Sequence, residues 1–134
     1  MASPYYVTFN SFSEPGEGFL VTTQQAADLP FAVKRIFWTL DTPASVVRGQ
    51  HAHWHTELVL VNLKGNATIE LENQAGEVQT FVLDSPTKGL YLPVMHWSRI
   101  YLQPEAVLLC LASTDYEEAD YIRDYEAFKA VSKQ

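Results

Sequence analysis

Short apolar runs rich in β-branched and aromatic residues follow one another along the chain, and turn-forming residues separate them. Each of these runs has the length and composition of a β-strand. They cover residues 5–9, 19–23, 32–39, 57–63, 67–72, 78–83, 89–93, 97–102 and 106–112. The segments between them, such as "EPGEG", "LKGN" and "NQAGE", are rich in turn formers. Many short strands at a spacing of about ten residues predict an all-β antiparallel sandwich or barrel.

The end of the chain has a different pattern. In "DYIRDYEAFKAVSK", residues 120–133, Tyr121, Tyr125 and Phe128 lie on one side at helical spacing, which predicts a short C-terminal helix. The chain shows neither the alternation of strands and helices nor the glycine-rich loop that are typical of a parallel nucleotide-binding sheet.

Composition restricts the classes of function. The chain has 134 residues, of which 47% are apolar, and this predicts one globular domain over residues 1–134. A net charge of −7 argues against general binding to nucleic acid or to a membrane surface, so an anionic ligand needs a few well-placed cations. The single cysteine, Cys110, is expected in the core, and its lack of a disulfide partner fits a cytoplasmic protein. No signal peptide or membrane helix is expected.

Candidate chemistry is concentrated in "RGQHAHWHTE", residues 48–57. In a strand, His51, His53, His55 and Glu57 share one face, because alternate residues point the same way. A metal site would combine His51, His53 and Glu57 with the later His96. An acid–base site needs only the histidines, which accept and return protons near neutral pH. The third interpretation is a strand edge whose histidines only face solvent.

Three longer motifs favour the acid–base interpretation. They are "RGQHAH", "LDSPTKGLYLP" and "LASTDYEEADYIRDYEAF", and with them residues 6 to 128 resemble the sugar 3,4-ketoisomerase family of bacterial cupins. The resemblance implies a jelly-roll barrel that works without metal or other cofactor, as a homodimer with exchanged N-terminal strands. It implies an isomerase that moves the keto group of dTDP-4-keto-6-deoxyglucose from C4 to C3. Its product would serve the synthesis of 3-amino-3,6-dideoxy sugars for surface polysaccharide, such as lipopolysaccharide or S-layer glycan.

The resemblance also assigns roles in catalysis. His51 and His53 match the histidine pair of the family, and Arg48 matches the arginine before it. His51 is expected to carry the proton between the two carbons, and His53 to relay a proton between the sugar oxygens or to orient the sugar. Arg48 is expected beside the enediolate or the diphosphate. Glu57 is expected to fix a histidine tautomer.

Further residues are expected to bind the nucleotide. Arg35 matches an arginine placed near the diphosphate, and Lys88 lies in the loop of the second motif. Tyr91 and Trp97 are expected to line the barrel or to stack on the base.

The chain departs from the family pattern at several substrate-side positions. They are Glu17, Phe37, Trp54, Leu58 and Ser98. Two alternatives to the isomerase therefore stay open: a metal-dependent cupin, and a nucleotide-sugar-binding module without turnover.

Overall fold

The structure is a computed structural model that describes residues 2–24 and 28–131. The strands are β1 Tyr5–Thr8, β2 Asn10–Ser13, β3 Phe19–Thr22, β4 Arg35–Thr39, β5 Val47–His53, β6 Leu58–Lys64, β7 Ala67–Glu72, β8 Val78–Leu83, β9 Lys88–Leu92, β10 Trp97–Leu102, β11 Val107–Ala112 and β12 Tyr121–Ile122. A 3-10 turn covers Glu118–Asp120, and helix α1 covers Tyr125–Val131. Among the described helices, none has the length and apolar character needed to cross a membrane.

The strands form two five-stranded sheets and a separate hairpin. The first sheet has the order β1-β9-β6-β11-β4, and the second has the order β12-β5-β10-β7-β8. Strands β2 and β3 pair only with each other in the described residues. All strand pairs are antiparallel. The prediction of an all-β antiparallel fold with a short C-terminal helix is therefore confirmed.

The main core lies between the two sheets, because alternate side chains of each sheet point inward. Its most buried members include Leu60, Ile69, Leu83 and Leu90. Cys110 belongs to the same core, as predicted, and burial raises the pKa of its thiol to about 12. The thiol is therefore protonated at neutral pH, and its role is packing.

Two smaller clusters cover the outer faces of the sheets. Tyr91 packs with Val59 and Val61 on the outside of the first sheet, against the N-terminal Val7 and Phe9. On the outside of the second sheet, α1 inserts Phe128 against Trp97. The helix thus covers a sheet face that would otherwise expose a large aromatic ring.

The predicted boundaries are wrong at two places. The C-terminal helix begins at Tyr125, because Tyr121 and Ile122 pair as β12 with His53 and Ala52 at the end of β5. Residues 132 and 133 of the predicted helix lie outside the described residues. Strand β2 was not predicted, since its sequence "NSFS" has a single large apolar residue.

Strand β5 contains a β-bulge that changes which side chains share a face. Ser98 of β10 lies opposite His51, and the next residue, Arg99, lies opposite Gly49, so Gln50 is the extra residue. Gly49 and Gln50 have positive φ angles of 78° and 58°. Because a bulge reverses the alternation of side chains, Arg48 lines the same cavity as His51, three positions later.

The bulge depends on glycine at position 49. A Cβ atom there would lie 2.8 Å from the Ser98 hydroxyl oxygen and 3.0 Å from the Ser98 carbonyl oxygen. The backbone of β10 is fixed by its pairing with β7 on the other side, so it cannot easily move away. Gly49 therefore allows β5 and β10 to approach closely beside His51.

The matched pair Gly49→Ala and Gly76→Ala measures this contact. Both glycines have positive φ, 78° and 87°, but a Cβ at Gly76 meets no atom within 4 Å. We expect Gly76→Ala to lower the free energy of unfolding by about 1–2 kcal/mol, from backbone strain alone. Gly49→Ala should cost about 1–3 kcal/mol more because of the collision with Ser98. Urea denaturation measures both losses, and equal losses would contradict the close approach.

Candidate active site

A cavity opens between the two sheets, and β5 supplies its polar wall. The residues that line it are Phe37, Thr39, Arg48, Gly49, His51, Leu58, Leu60, Leu92, Ser98, Ile100, Leu108, Cys110 and Tyr121. Apolar side chains of the core form most of the surface, and Arg48 and His51 supply its basic groups. An apolar cavity with a few convergent polar groups is the usual form of a small-molecule site.

His51 and His53 lie side by side at this wall. Their ring centroids are 4.9 Å apart and the rings meet edge to face at 87°. His51 is half-buried and lines the cavity, whereas His53 is 5% exposed and lies beside that lining. The two histidines are therefore brought together as predicted, and His51 is the one that lines the cavity.

Hydrogen bonds determine the tautomer of each ring. Nδ1 of His51 lies 3.0 Å from the carbonyl oxygen of Gly49. Because a carbonyl only accepts, His51 carries its proton on Nδ1 and keeps a lone pair on Nε2. Nδ1 of His53 lies 3.0 Å from Oδ2 of Asp120, so an ionised Asp120 selects the same tautomer. Both rings thus keep an unprotonated Nε2 when they are neutral.

Asp120 is the buried partner that sequence reasoning missed. Its carboxylate accepts hydrogen bonds from the Thr56 hydroxyl, the His55 backbone N–H at 2.6 Å and His53. Burial works to raise the pKa of this carboxyl, but these hydrogen bonds outweigh burial and hold the pKa below its ordinary value. Asp120 is therefore ionised at neutral pH.

Burial has the opposite effect on the histidines. It lowers the pKa of His51 to about 4, and the neighbouring His53 lowers the pKa further in the same direction. Burial also lowers the pKa of His53, against the opposing hydrogen bond and charge of Asp120. Both imidazoles are consequently neutral at physiological pH and able to act as bases.

Tyr121 is a second residue that sequence reasoning missed. Its ring centroid lies 5.0 Å from that of His51 and 4.4 Å from that of His53, and the ring lines the cavity. The guanidinium of Arg123 lies 4.2 Å from the centre of the Tyr121 ring and pairs with Glu118. Tyr121 was assigned to the predicted C-terminal helix because of its spacing to Tyr125 and Phe128. It also lies in the third family motif, "LASTDYEEADYIRDYEAF", which could have indicated a place near the site.

Arg35 is the second cation near the cavity. Its guanidinium lies 5.2 Å from the ring centre of Phe37, which lines the cavity, and 5.5 Å from that of Tyr116. Its Nε atom is buried without a hydrogen-bond partner. A buried donor without a partner is costly, and a bound anion would satisfy it.

Tyr91 and Glu57 lie outside the cavity. Tyr91 points to the outer face of the first sheet, because Leu90 and Leu92 on either side of it point into the core. Its hydroxyl donates to Oε1 of Glu57 at 2.5 Å. The prediction that Tyr91 lines the barrel is therefore wrong. The prediction that Glu57 fixes a histidine tautomer is also wrong, because Asp120 takes that part.

Trp97 and Lys88 are also directed elsewhere. Trp97 packs under α1 on the outside of the second sheet, so the prediction that it lines the barrel is wrong. The Nζ atom of Lys88 lies 3.5 Å from Asp84 and 4.6 Å from the ring centre of Tyr6. Lys88 is absent from the cavity lining.

The shared face of "RGQHAHWHTE" ends at His53, where β5 ends. The backbone N–H of Trp54 donates to the carbonyl of Asp120, and the chain bends so that His55 is exposed.

His96 is buried, and its Nδ1 lies 2.9 Å from the Val94 carbonyl. In residues 2–24 and 28–131, no three His, Cys, Asp or Glu side chains are grouped to hold a metal ion. The ligand set His51, His53, Glu57 and His96 is therefore not assembled.

Comparison with known proteins identifies the family. The family model "FdtA: WxcM-like, C-terminal" matches residues 4–133. The chain belongs to this family. A curated relative, TDP-4-oxo-6-deoxy-alpha-D-glucose-3,4-oxoisomerase from Aneurinibacillus thermoaerophilus, is 38% identical over 113 residues, which are 84% of this chain and 81% of the relative.

Solved structures of similar enzymes share the fold. A 3,4-ketoisomerase from Helicobacter canadensis is 30% identical, with a TM-score of 0.93 and full coverage of both chains, 100% of each. The sugar 3,4-ketoisomerase QdtA from Thermoanaerobacterium thermosaccharolyticum, in complex with TDP, is 30% identical with a TM-score of 0.91, covering 97% of this chain and 94% of that one. A histidine-to-asparagine mutant of QdtA was crystallised with TDP-4-keto-6-deoxyglucose. These matches confirm the predicted cupin-type jelly roll.

Three of the five departures from the family pattern lie on the cavity. Phe37, Leu58 and Ser98 are among its lining residues. Trp54 is exposed, and Glu17 lies in the turn of the hairpin β2–β3. The departures that line the cavity of this WxcM-like chain are therefore Phe37, Leu58 and Ser98.

The depressed pKa of His51 makes stability depend on pH. Between the ordinary value of 6.5 and about 4, the unfolded chain binds a proton at His51 that the folded chain does not, so acidification favours unfolding. When the pH is lowered from about 7 to about 5, we expect the free energy of unfolding to fall less in His51→Gln than in the unchanged protein. Urea denaturation at both pH values measures the difference.

The matched control is His55→Gln, because His55 is exposed. This variant should keep the pH dependence of the unchanged protein. If His51→Gln and His55→Gln had the same pH dependence as the unchanged protein, His51 would not be held neutral in the folded state.

Proposed function

We propose that this protein is a nucleotide-sugar 3,4-ketoisomerase of a single domain, residues 1–134. Its substrate is a dTDP-linked 4-keto-6-deoxyhexose, and it moves the keto group from C4 to C3. The observation that carries the proposal is the pair of neutral histidines, His51 and His53, 4.9 Å apart beside a cavity that also holds Arg48. The family relatives named as oxoisomerases and ketoisomerases support it.

The reaction requires proton transfers and no external oxidant. A base removes the proton from C3, the electrons of that bond form an enediolate, and the negative charge develops on O4. The proton on O3 then passes to O4, and C4 receives a proton from the base. The ketone at C4 is reduced to an alcohol while the alcohol at C3 is oxidised, so the sugar balances its own electrons. No redox cofactor is therefore needed, and the protein is expected to work without a bound metal.

The described side chains supply each of these steps. His51, neutral with a free Nε2, removes the C3 proton, exchanges it with solvent and delivers a proton to C4. His53 relays the proton between O3 and O4. Arg48 stabilises the developing oxyanion or the diphosphate with a permanent positive charge. The unpartnered Nε of Arg35 supports its predicted place beside the diphosphate.

His51→Asn tests the catalytic assignment. A general acid–base group typically contributes about 10²–10⁴-fold to the rate, so turnover should fall by that order, while the affinity for dTDP stays within a few-fold. Turnover is measured with dTDP-4-keto-6-deoxyglucose, and affinity by calorimetry. The control is His55→Asn, which changes an exposed histidine and should keep full turnover. Full turnover in His51→Asn would contradict the assignment.

Arg35→Ala tests the diphosphate site. A hydrogen bond to a charged group contributes about 1.5–3 kcal/mol, so the Kd for dTDP should rise about 10–100-fold. Turnover at saturating substrate should change less than the Kd does. Lys34→Ala is the matched control, because Lys34 is the exposed cation next in the chain. An equal effect of both variants would show that only the total charge matters.

The assembly we propose is a homodimer in which the hairpin β2–β3 is exchanged. Phe12 and Leu20 are opposite each other in the hairpin and are 60% and 61% exposed. Strand β4, at the edge of the first sheet, exposes Ile36 and Trp38. Two exposed apolar surfaces in one chain support their mutual burial between two copies.

Phe12→Ser should shift the dimer towards monomer, because the hairpin loses a large apolar contact. Val78→Ser is the control, since Val78 is 52% exposed on β8, outside the hairpin and β4. Sedimentation velocity at micromolar concentration measures both. A monomeric unchanged protein under the same conditions would overturn the dimer.

The proposed setting is the cytoplasmic synthesis of 3-amino-3,6-dideoxy sugars for surface polysaccharide such as lipopolysaccharide or S-layer glycan. The second candidate function is a binding module without turnover, which the departures at Phe37, Leu58 and Ser98 on the cavity favour. Thermal stabilisation by dTDP, with no isomer formed from any sugar of a nucleotide-sugar panel, would select the module. Stoichiometric metal in untagged protein, with activity lost in chelator, would select a metal-dependent cupin.

A further inference from the structure

The C-terminal segment places a buried carboxylate behind the catalytic wall. Asp120 is 8% exposed and lies in the 3-10 turn directly before β12. The next residues, Tyr121 and Ile122, pair with His53 and Ala52, so the backbone of β12 holds Asp120 beside the end of β5. The carboxylate is thus placed by the sheet itself rather than by a loose loop.

Every contact of this carboxylate comes from a donor. Oδ1 accepts the His55 backbone N–H at 2.6 Å. Oδ2 accepts the Thr56 hydroxyl and lies 3.0 Å from Nδ1 of His53. The Thr56 oxygen lies 2.6 Å from the Thr114 hydroxyl, which leaves Thr114 as the donor in that pair. The hydrogen bonds from Thr114 through Thr56 and from Nδ1 of His53 therefore converge on the Asp120 carboxylate, and the ring proton of His53 lies on Nδ1.

We propose that Asp120 is a positioning residue that holds His53 in the tautomer with a free Nε2, so that His53 can relay the proton from O3 to O4. This inference rests on the proposed isomerase function. With Nε2 unprotonated, His53 accepts the proton of O3 and becomes an imidazolium, which the Asp120 carboxylate stabilises. The imidazolium then donates to O4 and returns to its first state. Asp120 itself keeps its charge throughout.

We expect Asp120→Asn to move the ring proton of His53 from Nδ1 to Nε2, rather than to unfold the site. The His55 N–H still needs the carbonyl oxygen of the new amide, so the amide NH₂ group occupies the place of Oδ2. Nδ1 of His53 must then accept a hydrogen bond, which moves the ring proton to Nε2. Thr56 can accept from the amide and donate to Thr114, so the network can close again. His53 is left unable to accept the O3 proton.

The first measurement is the tautomer of His53. In ¹⁵N-labelled protein at neutral pH, long-range ¹H–¹⁵N spectra should show a protonated Nδ1 and an unprotonated Nε2, with the signals assigned by their loss in His53→Gln. In Asp120→Asn the proton should lie on Nε2. A protonated Nε2 in the unchanged protein would overturn the proposal whether or not the variant folds. An unchanged tautomer in folded Asp120→Asn would also overturn it.

The second measurement separates the relay from the carbon proton transfer. With dTDP-4-keto-6-deoxyglucose in D₂O, NMR follows deuterium entering C3 of the recovered substrate and the appearance of the 3-keto isomer. Asp120→Asn should keep the C3 exchange within several-fold, because His51 is intact, while product formation falls about 10²–10⁴-fold. Equal loss of exchange and product would mean that Asp120 only supports the fold, and would overturn the proposal.

Two variants complete the design. Thr56→Val removes one hydrogen bond to the carboxylate but leaves its charge, so the His53 tautomer should stay and product formation should fall less than about tenfold. A flipped tautomer in Thr56→Val would contradict the role of the carboxylate. Asp115→Asn changes an exposed carboxylate near the same segment and should alter neither measurement. If the unchanged protein gives neither exchange nor product, the isomerase function fails, and the tautomer measurement alone decides the role of Asp120.

Discussion

The hydrogen bonds of the Asp120 carboxylate connect the parts of the molecule on which the site depends. A buried carboxylate is tolerated only when donors replace its lost water, and here the donors come from His53, His55 and Thr56, at and after the end of β5. Satisfying the carboxylate therefore holds the C-terminal segment against β5. The same docking brings Tyr121 against both histidines and leads the chain into α1, which covers Trp97.

A second constraint acts in the middle of β5. The bulge at Gln50 turns the strand so that Arg48 and His51 line one cavity, and Gly49 lets the bulged backbone lie against Ser98. Together the two constraints produce a pair of neutral imidazoles beside permanent cations. The chain has a net charge of −7, so Arg35 and Arg48 are the local exceptions that suit a diphosphate or an enediolate.

Much of the fold could be predicted because a strand has a period of two, and each of the nine apolar runs overlaps an observed strand. Alternation did not predict which side chains of β5 share a face, because the strand contains a bulge at Gln50. A bulge depends on backbone angles, which the pattern of apolar residues does not reveal. Tyr121 was assigned to a helix because its spacing to Tyr125 and Phe128 fits one, yet strand pairing with His53 prevailed. Asp120 takes the part that was expected of Glu57, because which carboxylate reaches a histidine depends on contact between residues 67 positions apart.

We propose that this chain moves the keto group along a nucleotide-linked sugar by proton transfers within its own cavity. The most direct test incubates the unchanged protein with dTDP-4-keto-6-deoxyglucose in D₂O and follows the sugar by NMR. We expect a 3-keto isomer that carries deuterium at C4, formed without added metal or nucleotide cofactor. Recovery of the 4-keto sugar alone, with no deuterium at C3 and no isomer, would contradict it.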